Sequence, residues 1–314
     1  MFLRFIPCAI ITCLLTLLSA CSSKPIQANL DQDLQSILVP KLLENSAQAL
    51  VYLEQGGNVF NGTLVSATGL VISVSHGLMN NKRLIKARLM NGQLTRAKIV
   101  YNNPQFDLAV LQLADVSASF YLPLATQIQE DMPVIALGRH RLSNSLRFTS
   151  GTIKTAWINL ANMEVSNLKM GNIAVQNAIF HTAPTQQGFS GGPLINQKGE
   201  LIAINSAILD TQNATLSMAL NIENFTALLA AIKNDTDMPA FPKLESLEQR
   251  LDFLLAGLTR HGRQNNIDLG TLELISFKVK QTALKLNSSG KMSERQLSNW
   301  VWKGFIENVL NNRK

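Results

Sequence analysis

Cysteine is scarce in this chain and unevenly placed. The only three, Cys8, Cys13 and Cys21, lie within the first 21 of 314 residues. The rest of the chain therefore holds neither a free thiol nor a disulfide, and it must rest on its hydrophobic core even in an oxidising compartment. Runs of like charge are also missing. The net charge of +7 comes from scattered residues, which reads as a solvated surface and gives no basic arm for nucleic acid. No internal repeat, P-loop, zinc-ligand spacing or dinucleotide fingerprint occurs, so neither a metal nor a cofactor is expected. With 46% hydrophobic and 16% charged residues, the composition excludes a disordered chain. The length allows a large core and more than one folding unit.

A targeting signal opens the chain. Arg4 supplies a positive start, Phe5 to Leu18 is mostly apolar, and Leu18-Ser19-Ala20-Cys21 is followed by the polar Ser22-Ser23-Lys24. The apolar stretch is short and sharply bounded, which suits a cleaved leader over residues 1–20 better than a membrane span. Leu-Ser-Ala-Cys resembles the lipobox of bacterial lipoproteins, implying cleavage before Cys21 and lipidation there. Acyl chains contribute about 0.8 kcal/mol per buried CH₂, so such an anchor is effectively permanent. With Ser22 rather than Asp after the cysteine, the expectation is the outer membrane, facing the periplasm. A plain secretory leader cut near Ala20 is the alternative.

Residues 21–46 read as a tether with a short helical pattern broken by Pro40. From residue 47 to about 220, short β-rich runs alternate with Gly, Asn and Asp turns without intervening helices, which indicates an all-β barrel or sandwich. A break near residues 125–131 divides this region into halves of similar length. A helix is expected over 221–234, then a linker over 234–242 with Pro239 and Pro242. Three further helical stretches follow, near 244–258, 269–286 and 293–310, the last opened by a capping box from Ser293 to Gln296. Trp300, Trp302 and Phe305 on the last stretch are expected to pack in a core, with an exposed aromatic pair serving as a docking point as the alternative.

Three residues carry the chemistry. Ser190 lies in Gly188-Phe-Ser-Gly-Gly-Pro-Leu194, where glycines allow a sharp turn and bring backbone N–H groups close to a substrate. A serine hydroxyl attacks a carbonyl only with a base beside it and donors ready for the oxyanion. His76 follows the β-branched run Val71-Ile-Ser-Val-Ser75, and Asp107 opens Asp107-Leu-Ala-Val-Leu-Gln-Leu113. The order His, Asp, Ser is that of the chymotrypsin-type triad. His76 and Asp107 fall in the first half and Ser190 in the second, placing a shared site in the cleft between them. His140, His181 and His261 have no such partners and read as surface or hydrogen-bonding residues.

On these residues the region 47–233 resembles the protease domain of the HtrA/Deg group of trypsin-like serine endopeptidases. The resemblance rests on Gly62-Thr-Leu-Val-Ser-Ala-Thr-Gly-Leu-Val-Ile-Ser-Val-Ser-His76, Val134-Ile-Ala-Leu-Gly138, Thr149-Ser-Gly-Thr-Ile153 and Gly188 to Asn205. It implies a mostly β fold of two six-stranded antiparallel barrels, here followed by a small all-α region over 243–314 in place of a PDZ domain. It also implies His76 as general base, Asp107 as its orienting partner, Ser190 as nucleophile, and the N–H groups of Gly188 and Ser190 as the oxyanion hole. Pro184, Ser206, Ala207 and Ile208 would line a substrate pocket with no acidic residue, which suits small or medium aliphatic side chains. Phe189 departs from the family pattern: a small polar residue is usual there, and trypsin-like zymogens carry an aspartate. The expected partners are protein or peptide substrates, a membrane through Cys21, and a protein recruited by the helical tail. A weakly active or inert binding scaffold is the competing expectation, and a maturation protease with one substrate is another.

Overall fold

The computed structural model describes residues 40–79, 83–139, 145–161, 164–165, 168–169, 174–210, 215–293, 296–297 and 300–301. Residues 1–44 and 45–314 cluster as separate units. Of the first, residues 40–44 are described and are helical. Cys21, His140, Trp302 and Phe305 lie outside the described residues.

The larger unit begins with six strands: β1 (Leu50–Gln55), β2 (Asn58–Leu64), β3 (Leu70–Val74), β4 (Ile85–Arg88), β5 (Leu94–Asn103) and β6 (Leu108–Leu113). Two-residue alternation is visible in β4, where Ile85 and Ala87 are buried while Lys86 and Arg88 are exposed. Gly56 and Gly57 join β1 to β2 with φ of +60° and +88°. That pair of positive angles is what a tight hairpin needs and what only glycine adopts freely. The strands close in the order β1-β2-β3-β6-β5-β4.

A second set comprises β7 (Pro133–Arg139), β8 (Leu146–Ala161), the short pair β9 (Glu164–Val165) and β10 (Leu168–Lys169), β11 (Ala174–His181), β12 (Pro193–Asn196), β13 (Leu201–Asp210) and β14 (Thr215–Asn221). Six of these close in the order β11-β14-β13-β12-β7-β8. Two closed six-stranded antiparallel barrels leave no open sheet edge, and they match the fold expected from the sequence.

Three helices follow: α1 (Glu223–Asn234), α2 (Leu247–Gln264) and α3 (Leu269–Ser288). Ser246 starts α2 with a reciprocal cap, its hydroxyl accepting from Gln249 N–H and the Gln249 amide oxygen accepting from Ser246 N–H. Ser293 and Gln296 make the same exchange.

In the helical region α2 lies directly on β8. The second half of β8, from Ile153 through Ala161, is buried at nearly every position. One face lines the barrel, and the other needs a cover. Leu251, Phe253, Leu254, Leu255 and Leu258 of α2 are all buried, each contributing about 1.5–3 kcal/mol relative to exposure. The contact is close: a Cβ on Gly257 would stand 2.5 Å from the Asn159 backbone nitrogen, and the Asn159 side chain donates to the Phe253 carbonyl at 2.8 Å. The expected linker is also engaged, with the Phe241 ring 4.9 Å from that of Phe106. Apolar side chains that follow a barrel find its uncovered outer face before they find solvent. Trp300 is 38% exposed and, with Val301, lines an apolar cleft between α2 and α3.

Candidate active site

His76 stands on a single helical turn, Ser75–Gly77, that ends β3. The turn is pressed against Phe60: a Cβ on Gly77 would come within 2.5 Å of that ring. Asp107 opens β6 in a left-handed conformation, φ 57°, which costs a non-glycine residue about 1 kcal/mol. The Asp107 carboxylate repeatedly engages the histidine. Oδ1 accepts from His76 N–H at 2.8 Å, and His76 Nδ1 lies 3.0 and 2.9 Å from Oδ1 and Oδ2. A carboxylate there calls for Nδ1 to carry the proton, which leaves Nε2 as the basic nitrogen. Burial works to lower the His76 pKa. The hydrogen bond and the charge of Asp107 outweigh it, so the net displacement is upward.

Ser190 approaches from the other barrel. The turn is held from across the cleft by Asn61, whose N–H donates to the Ser190 carbonyl at 2.9 Å and whose side-chain amide donates to the Gly188 carbonyl. A Cβ on Gly191 would stand 1.8 Å from the Asn61 carbonyl oxygen, so only glycine lets the barrels close this far. Gly188 has φ +100°. Among the described residues, the N–H groups of Gly188 and Ser190 donate to no acceptor. Two unsatisfied donors on one turn can receive a developing oxyanion. Phe189 leaves them clear: its ring is buried in the second barrel against Gly138, where a Cβ would meet it at 2.7 Å.

The Ser190 hydroxyl donates to the carbonyl of Ser206 at 3.2 Å rather than to His76. Ser206, expected at the substrate pocket, has its own hydroxyl on Asp107 Oδ2 at 2.8 Å. A register shift between Asn205 and Ala207 interrupts β13 there, and such bulges re-aim a side chain. Ser206 thus ties the second barrel to the carboxylate of the first.

Pro184 is exposed, and its carbonyl accepts from the Thr149 hydroxyl at 2.8 Å. Its neighbour Ala183 packs so tightly on β8 that a Cβ on Gly151 would stand 2.1 Å from the Ala183 nitrogen. Ala207 and Ile208 are half-buried. Ile208 pairs across the sheet with Ser217, whose hydroxyl donates to Ala183 O at 2.9 Å and meets Thr185 Oγ1 at 2.8 Å.

Sequence reasoning missed Asn61, Ser217 and the bond from Ser206 to Asp107. Asn61 immediately precedes the Gly62 motif, but nothing in that string points to residues more than a hundred positions away. Of the other histidines, His261 is buried and partnered, with Nδ1 3.0 Å from Thr155 Oγ1 and 3.1 Å from Glu130 Oε1. His181 is fully buried, and neither ring nitrogen has a partner in good hydrogen-bonding geometry.

Residues 60–204 match the trypsin-like peptidase domain. The periplasmic serine endoprotease DegP of Salmonella typhimurium is 28% identical over 178 residues, covering 57% of this chain and 35% of that protein. The mitochondrial serine protease HTRA2 of Bos taurus is 27% identical over 182 residues, covering 54% of this chain and 38% of its own. The chain therefore spans little more than a third of the length of these relatives. Among solved structures, the Rv3671c protease of M. tuberculosis in an inactive form superposes with a TM-score of 0.52 at 18% identity, covering 63% of this chain and 95% of that one. The HtrA-type protease AlgW with a decapeptide gives 0.50 at 18% identity, covering 62% and 67%. At such identity the likeness concerns the fold.

Proposed function

From the premise that this chain carries a trypsin-like peptidase domain with HtrA-type relatives, we propose that it is a serine endopeptidase acting through His76, Asp107 and Ser190. The observation that carries this reading is the convergence, from two barrels, of a carboxylate-bound imidazole and a serine beside two free N–H groups. Rotation about χ1 of Ser190 is the movement that turns Oγ from the Ser206 carbonyl toward His76 Nε2. His76 takes the hydroxyl proton as Oγ bonds to the scissile carbonyl carbon, and Asp107 stabilises the resulting imidazolium. The N–H groups of Gly188 and Ser190 receive the oxyanion, and loss of one such donor costs about 10²–10³ in turnover. His76 then returns the proton to the leaving amine, and water, activated the same way, releases the acyl group.

The finer reading is a lipid-anchored protease at the periplasmic face of the outer membrane, cleaving misfolded or envelope proteins after aliphatic side chains. Leu18-Ser19-Ala20-Cys21 and Ser22 support the anchor and its membrane. DegP, a relative, is periplasmic by name, which supports the compartment. Ala207, Ile208 and Ser217, with no carboxylate among them, support the specificity.

One observation favours a second reading, an inert protease-fold binding protein: the Ser190 hydroxyl is bonded to Ser206 and not to His76. A single experiment separates the two. The protein should cleave an unfolded protein and take a fluorophosphonate label, with Ser190→Ala and His76→Ala each lowering turnover by about 10⁴-fold or more. Equal rates for wild type and Ser190→Ala would leave the scaffold reading.

A further inference from the structure

Asp107 is held in a conformation that its own backbone disfavours. Its φ of 57° persists only if the surroundings impose it. Part of that constraint is polar: Ser75 N–H donates to the Asp107 carbonyl at 3.1 Å, and Gln105, two residues earlier, accepts from Ala174 N–H across the cleft at 2.6 Å. The residue between them, Phe106, is almost wholly buried, and its ring is gripped by residues from outside both barrels. Phe241, in the segment between α1 and α2, lies 4.9 Å away in a tilted contact. Phe253 of α2 lies 5.8 Å away, edge to face at 75°. Phe241 also reaches Tyr101 of β5 at 6.3 Å. One side chain of the C-terminal region therefore touches both β5, which leads into the aspartate loop, and the loop itself.

Phe106 and Asp107 share a peptide unit, so a ring held in place anchors the backbone from which Asp107 departs, and a shift of that backbone is passed on to Asp107. We propose that Phe241 and Phe253 are positioning residues for Asp107: by gripping Phe106 they hold the carboxylate on His76 Nδ1, and docking of the C-terminal region thereby sets the geometry of the site. This deepens the proteolytic reading and rests on it. It also gives the region after the barrels a role at the active site without a contact to substrate.

Phe241 is the residue to test, since it is only half-buried while Phe253 belongs to the core under α2. In the full chain, the titration of His76 is followed through its ring Cε1 proton, assigned by comparison with His76→Asn among the four histidines. Fluorophosphonate labelling of Ser190 is measured on the same samples. Contact with Asp107 raises the His76 pKa against burial, so Phe241→Ala should move the midpoint to lower pH. It should also slow labelling by about tenfold to 10²-fold, the effect of displacing a reacting group by about an ångström. Phe241→Tyr, which keeps the ring, should retain both wild-type values, and Phe241→Val should fall between. Met238→Ala, an exposed change in the same segment, should alter neither. If Phe241→Ala fails to fold, Phe241→Val carries the test. An unmoved His76 midpoint, with labelling lost only in proportion to folded protein, would overturn the proposal. Wild-type protein that takes no label would sink the proteolytic reading instead, and the midpoint would still report on the grip.

Discussion

Acid should weaken this fold through one buried imidazole. His181 ends β11 inside the second barrel, fully shielded from water. Burial drives its pKa from 6.5 down to about 4, with the Ala183 backbone and the Asn205 side chain opposing that only in part. Above pH 6.5 the ring is neutral in both states and contributes nothing to pH dependence. Below it, the unfolded chain takes up a proton that the folded chain refuses, so stability falls as pH falls. The loss runs at about 1.4 kcal/mol per pH unit and levels off near pH 4, about 3 kcal/mol in all. That is a large share of the 5–15 kcal/mol or so that holds a typical domain. His76 acts in the opposite sense. Its folded pKa is raised, so its stabilisation is full below the unfolded value and disappears as pH rises through the folded value. Its side chain is 39% exposed, and solvent screening keeps that term small. Urea unfolding of wild type and His181→Gln at pH 7.5, 5.5 and 4 isolates the effect, because every other titration is common to both. The variant should be less stable at pH 7.5 by about 1–3 kcal/mol, for a buried amide placed without designed partners. Between pH 7.5 and 4, wild type should lose about 3 kcal/mol more than the variant. Equal losses would show that His181 takes up its proton in the folded state, and the argument from burial would fail.

Two further outcomes bear on the finer function. Peptides released from a digested protein should end in Val, Ala, Ile or similar residues. A Lys or Arg side chain against Ala207, Ile208 and Ser217 would lose hydration without gaining a counter-charge, at a cost of several kcal/mol; termini dominated by Lys and Arg would contradict this pocket. Cys21→Ser should abolish fatty-acid labelling and release the protein from the membrane fraction, and a variant that remains labelled and membrane-bound would remove the anchor.

Features of the site that depend on local conformation were readable from the residues in order. Gly188, Gly191 and Gly192 around Ser190 announce a turn that other residues cannot make, and the β-branched run before His76 announces a strand ending at a base. Alternation in β4 carries its own period. The 16-residue strand β8 was legible only over Thr152–Thr155; its second half is buried on both faces and so loses the two-residue period that identifies strands. What covers that strand was beyond the reach of local pattern. Leu251, Phe253 and Leu258 declare an apolar helix face, but any apolar surface would satisfy it, and only the assembled barrel supplies β8 as its partner. The same holds for Ser206 on Asp107, Asn61 on Gly188 and Phe241 on Phe106. Each joins residues separated by between 99 and 135 positions, and each depends on how two closed barrels and a helix come to rest against one another. Sequence alone determined which groups could do chemistry and roughly which strands would present them. Tertiary packing decided how they are held, because hydrogen bonds and ring contacts act over a few ångströms of space and take no account of separation along the chain.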